Sequence, residues 1–219
     1  MPHTPQVIIM QPVLETRSSD DFSLWPVAST EAYGFMPLSG VLGPEEIGTA
    51  VMYVAACNDV APESDDHPPG PADPLGSFLH GLLTMDPLFA AGGLQVTDTA
   101  TGATLLPGCC NGLDERSDWF EALDGDGWAS FGHDPTPLAE RLGDSVRLTI
   151  DAEQDGSPVI ELPADELRCL LIGAESDLAD FLRLATAWAV RHLPGYAGPV
   201  SAALARALAL PTPVVQPLP

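Results

Sequence analysis

The sequence predicts a single α+β domain in which antiparallel hairpins pack with C-terminal helices. Three observations predict it. Val146, Leu148, Ile150 and Ala152 alternate with Arg147, Thr149 and Asp151, and Asp155-Gly156 then turns the chain into Val159–Leu162. That is the two-residue period and the turn chemistry of a hairpin over 146–162. Leu178, Phe181, Leu182, Ala185, Trp188, Ala189 and His192 recur at three- and four-residue spacings, as one apolar face of a helix does. Hydrophobic residues make up 45% of the 219, enough for one well-buried core. The domain is read as residues 1–210, with a loop rich in proline and acid at 61–74 (APESDDHPPGPADP). Residues 211–219, PTPVVQPLP, are an extended tail, because proline removes backbone donors and fixes φ.

Taken in order, Val7–Val13 reads as a strand, and Leu24–Leu38 as short strands and loops. Pro44 with Glu45 and Glu46 behind it is a helix start, since proline suits the first helical position and acids suit the positive end of the helix. Thr49–Cys57 is apolar on all sides and partly β-branched, which also fits a buried strand; helix is preferred. Residues 74–91 read as one or two short helices broken at Pro87. Leu94–Thr97 and Ala103–Leu106 form a second hairpin, with Gly102 supplying a positive φ. A short helix is expected at 113–123. Pro163 is expected to open a helix closed by Gly173, and Ser176 to cap the next, which Pro194-Gly195 ends. Pro199 opens a last helix that Pro211 stops.

Charge bounds the function. There are 31 acids against 8 basic residues, a net charge of −23, and every basic residue is Arg. The first half is the more lopsided: up to Glu115 there is one Arg, Arg17. A nucleic-acid binder needs cations to displace counterions from phosphate, and an anionic membrane repels such a chain. The field attracts a basic protein surface or a cation. No secretory signal and no membrane-spanning segment is read in the chain, and Cys57, Cys109, Cys110 and Cys169 lack the spacing of a disulfide scaffold, so the cytoplasm is the expected compartment.

The densest chemistry lies in 106–137, LPGCCNGLDERSDWFEALDGDGWASFGHDPTP. Asp124-Gly-Asp126-Gly and the run Asp151, Glu153, Asp155, Gly156 approach a calcium loop, but neither places the closing Glu at the required position, and a hairpin turn accounts for the second. Cys109 or Cys110 with His133 and Asp134 supplies the residue types of a thiol nucleophile and its base; the alternative is a pair of small side chains beside a turn. Adjacency of the two cysteines argues against both reaching one zinc ion. A phosphate loop needs a Lys that the chain does not have, and no nucleophile elbow or zinc-protease motif occurs. No catalytic residue, metal or cofactor is assigned. The candidate binding residues are Asp114, Glu115, Asp118, Trp119, Glu121, Asp124, Asp126, Trp128, His133 and Asp134, acids interleaved with aromatic residues. Aromatic rings supply contact area and acids supply charge matching; the competing reading puts Trp119 and Phe120 in the core.

The segments LPGCCNGL at 106–113, WF at 119–120, FGHDP at 131–135, RLTIDAE at 147–153 and PVIELPADELRCLL at 158–171 carry a resemblance over about 105–210. This stretch is similar to acidic proteins of high-GC actinobacteria, a group to which no activity is assigned, so the resemblance implies none. Small acidic proteins of this character are similar to immunity proteins that neutralise bacterial toxins. The expectation is a non-catalytic, acidic protein-binding protein of immunity or antitoxin type, acting on a basic protein partner, with a toxin as the candidate, and without nucleic acid or membrane. A small enzyme using the Cys/His residues and a structural accessory protein are the alternatives.

Overall fold

A computed structural model describes residues 7–17, 19, 21–59 and 71–212. The fold is α+β. One sheet has the strand order β2-β1-β3-β4, built from β1 (Ile8–Glu15), β2 (Phe35–Pro37), β3 (Gly92–Asp98) and β4 (Thr104–Leu105). The second has the order β5-β6-β7-β8, an antiparallel meander of β5 (Trp128–Ser130), β6 (Leu138–Leu142), β7 (Ser145–Thr149) and β8 (Val159–Pro163). The chain divides into two compact units. One holds residues up to Val13 with Gly92–Asp177, and the other holds Leu14–Ala91 with Leu178 onward.

In the first unit the alternation read in the sequence sets the register. Val146 pairs with Leu162 and Leu148 with Ile160, and these four turn inward together. Strand pairing ends at Thr149, before the Ile150 and Ala152 expected in it, and Gly156 takes a φ of +73° in the connection. The buried cluster includes Trp119, Phe131, Leu148, Ile160, Leu167 and Leu171. In the β3–β4 hairpin, Thr97 faces Thr104 and Gly102 has the expected positive φ of +77°. The buried Asp98 carboxylate closes that turn by accepting from the Ala100 amide at 2.8 Å and the Thr101 hydroxyl at 2.9 Å.

In the second unit α1 (Pro44–Cys57) starts where Pro44 and two glutamates predict. The Glu46 carboxylate accepts from the Gly43 amide at 2.6 Å, satisfying a donor that the first turn leaves free. Ile47–Ala55 are all buried, so the run that was apolar on every side is a helix enclosed on every side. Asn58, fully buried at its end, donates to the Val54 and Phe89 carbonyls and accepts from the Phe89 amide. A single helix, α2 (Pro74–Thr84), stands where one or two were read, and its cap is Asp73, inside the expected 61–74 loop. Residues 61–70 of that loop and 213–219 of the expected tail lie outside the described residues.

The helix read as two pieces, 163–172 and 177–193, is one: α4 (Ala164–His192) runs unbroken for 29 residues. Pro163 ends β8 instead of opening a helix. Between Pro163 and Pro194 there is no proline, and buried Leu167, Leu171, Ala174, Leu178, Phe181 and Ala185 carry one seam across Gly173. A helix tolerates an interior glycine at a cost of about 1 kcal/mol when the seam on both sides is buried. Gly173 is exposed, and a Cβ there meets nothing within 4 Å. Gly173→Ala is therefore expected to raise stability by about 0.5–1 kcal/mol in urea denaturation. A loss instead would mark a left-handed helix end at this position. The last helix, α5 (Ala197–Ala207), begins two residues before Pro199.

Candidate functional site

Residues 111–130 hold most of the predicted binding residues, and the fold assigns them different work. A 3-10 turn at Leu113–Asp118 leads into α3 (Trp119–Asp124). Glu115 caps the turn by accepting from the Gly112 amide at 3.0 Å. Buried Arg116 anchors it, donating from Nε and Nη2 to both Glu175 oxygens at 2.7 and 3.2 Å and from Nη1 to the Leu113 carbonyl at 2.8 Å. Asp114 is half-buried, and its Oδ1 finds no donor among the described residues.

Trp119 is not at the surface. Its indole is 2% exposed and stacks on Phe131 with ring centres 4.0 Å apart, so the core reading of this residue holds. The reason is position: α3 lays this face on the meander, where Ala122 and Leu123 are buried beside it. Asp124 is also engaged. It takes two hydrogen bonds from Arg168, at 2.7 and 3.0 Å, which hold its carboxyl below the usual carboxylate range. The Arg141 guanidinium donates to the Leu123 and Gly143 carbonyls.

What remains converges. Asp118 and Glu121, one helical turn apart, Asp126 from the α3–β5 connection, and Trp128, Ala129 and Ser130 of β5 line a groove of about 330 Å³. Trp128 is 57% exposed while its neighbour Ala129 points into the core, the alternation of a strand with one wet face. Among the described residues the lining carries three carboxylates, one indole and no basic residue.

His133 and Asp134 belong to a second constellation. The loop before the 3-10 turn and the β5–β6 connection meet in a short bridge. The Cys109 amide donates to the His133 carbonyl at 2.6 Å, and the His133 amide returns to Cys109 at 3.2 Å. Gly108 and Gly132 let the backbones approach. A Cβ on Gly108 would stand 2.3 Å from the Pro135 oxygen, and one on Gly132 would stand 2.7 Å from the Cys109 oxygen. Cys110 takes a φ of +64°, rare for a residue with a Cβ. Side chains of an extended chain alternate, and the left-handed turn breaks that alternation and puts the two thiols 3.4 Å apart.

The result is an exposed cluster in which one ligand atom from each of Cys109, Cys110 and His133 lies within 4.8 Å of the others. His133 Nδ1 faces the Asp134 Oδ2 at 3.2 Å. Hydrogen bonding by Asp134, and after it by Cys110, raises the His133 pKa above the ordinary 6.5. The sequence placed these residue types in one segment and gave no means of bringing them together. The Gly-Cys-Cys-Asn-Gly string was the available signal, because glycines flanking a cysteine pair permit close backbone approach. Chemically, the groove suits a cation-bearing surface, and the cluster offers two thiols and an oriented imidazole.

No helix among the described residues is long and apolar enough to cross a membrane. Compared with protein-family models, curated proteins and solved structures, the chain matches none of them.

Proposed function

We propose that the protein is a non-catalytic binding protein of immunity or antitoxin type, which holds a basic protein partner against the groove at Asp118, Glu121, Asp126 and Trp128. The observation that carries this reading is the convergence of three like-charged carboxylates around an exposed indole. An aromatic anchor rimmed by like charges is suited to a patch of Lys and Arg, because the ring supplies buried area and the acids supply steering. The net charge of −23 adds a long-range attraction for the same partner and repels nucleic acid. The cysteines at positions 57, 109, 110 and 169 form no disulfide, which fits a reducing compartment, and the cytoplasm is the proposed location.

The test begins with pull-down from the native host at low and high salt, followed by rate measurements on the captured partner. Association is expected to slow steeply with salt, since the Debye length shrinks from about 10 Å at 0.1 M to about 3 Å at 1 M, while dissociation changes less. D118N/E121Q/D126N is expected to mimic high salt with folding intact. Asp124 is left out because its replacement would strip Arg168 of its partner. Trp128→Ala is expected to cost roughly 2 kcal/mol or more of binding, mostly as faster dissociation. A partner that binds the triple variant as well as the parent chain would mean that the groove is only a solvated surface.

A further inference from the structure

We propose that Cys109, Cys110 and His133 form a binding site for a zinc-class divalent cation, with Asp134 as the positioning residue for the imidazole. Among the described residues this is the group of three such side chains whose ligand atoms converge. Adjacency argues against both cysteines reaching one ion, but here Cys110 turns left-handed and the two Sγ atoms lie 3.4 Å apart. Tetrahedral zinc with Zn–S near 2.3 Å and Zn–N near 2.0–2.1 Å holds its ligand atoms about 3.5–3.8 Å from one another. The thiol pair, at 3.4 Å, needs to open by only about 0.4 Å to reach the sulfur–sulfur spacing of such an ion, and the imidazole needs only a small closure from within 4.8 Å.

The surroundings fit the same ion. Nδ1 of His133 faces Asp134, which leaves Nε2 to bind metal and supplies the carboxylate that metal-bound histidines use to fix the ring. Asp134 takes a φ of +50° in doing so. Two thiolates and a neutral imidazole are soft and borderline ligands, which favour zinc over magnesium or calcium. Two thiolates also balance a divalent charge. On binding, each thiol loses its proton to solvent as its sulfur–metal bond forms, so uptake releases protons. Three protein ligands leave a fourth position for water. The cluster is exposed, and an exchangeable ion can reach it.

The test uses the full chain, reduced and treated with chelator, and Co(II) as the spectroscopic probe. One equivalent of Co(II) is expected to give a near-ultraviolet thiolate-to-cobalt band and the visible bands of a tetrahedral ion, and Zn(II) is expected to bleach both. C109S and C110S should each weaken the thiolate band, and the double variant should abolish it. H133A should keep thiolate absorption but lose the tetrahedral spectrum, and D134N should weaken affinity about 10–100-fold. C57S/C169S should bind as the parent does. The proposal is overturned if no saturable band forms at one equivalent, or if the band survives C109S/C110S in a chain with unchanged circular dichroism. It is equally overturned if the band depends on Cys57 or Cys169, or if H133A leaves the spectrum untouched. These outcomes are independent of the groove, which the cobalt experiment does not read.

Discussion

Phe181→Ala is expected to lower unfolding free energy by about 3–5 kcal/mol, the cost of lost transfer energy plus an incompletely collapsed cavity. Phe181 has no exposed surface and lies on the buried face of α4 with Leu178, Ala185 and Trp188. Further along that face the packing is aromatic. Trp188 packs edge-on against Trp25 at 5.7 Å, and Trp25 in turn meets Phe22 at 4.7 Å and Phe78 at 5.6 Å. The Trp25 indole donates to the Gly48 carbonyl at 2.8 Å, which fixes the orientation of that ring. Val190, on the same helix but 41% exposed, is the control, and Val190→Ala should change stability by less than about 0.5 kcal/mol. The two variants are compared by denaturant midpoint with the slope held equal. Similar midpoints would place Phe181 outside the core.

Gly108→Ala is expected to open the bridge between Cys109 and His133. The added methyl would meet the Pro135 oxygen at 2.3 Å, the His133 nitrogen at 2.6 Å and the Gly132 carbon at 2.8 Å. All three are backbone atoms, so relief requires moving a loop and not merely turning a side chain. Forced overpacking of this kind costs about 1–3 kcal/mol and sometimes more. The local readout is sharper than the global one. The Cys109 and His133 amides, which bond across the bridge, should lose their protection from hydrogen exchange while those of the β6–β7 ladder keep it. Unchanged protection at both amides would show that the loops have room to spare.

Local chemistry was legible wherever neighbours along the chain decide the outcome. Pro44 with Glu45 and Glu46 started a helix, Gly102 turned a hairpin, and the alternation of Val146 and Leu148 set an inward face. Gly173 misled because a glycine stop is a local signal, and a seam of buried leucines on both sides outweighs about 1 kcal/mol of propensity. Trp119 misled for a related reason. Its string of acidic neighbours describes the wet face of a short helix, while the ring itself sits on the dry one.

By itself, then, the sequence determined the α+β class, the hairpins, the helix starts at Pro44 and Pro74 and a strongly acidic balance. Only the tertiary structure decided which acids act together. Arg168 reaches Asp124 from 44 residues away and removes it from the acidic set, whereas Asp118, Glu121 and Asp126 are left to share a groove with Trp128. Only it, too, brought His133 to the cysteine pair, through a two-stranded bridge and a left-handed φ at Cys110. The physical reason is the same in both cases. Periodicity and turn propensity report on a residue's own few neighbours, whereas an ion pair or a ligand cluster depends on which distant backbone the core brings alongside.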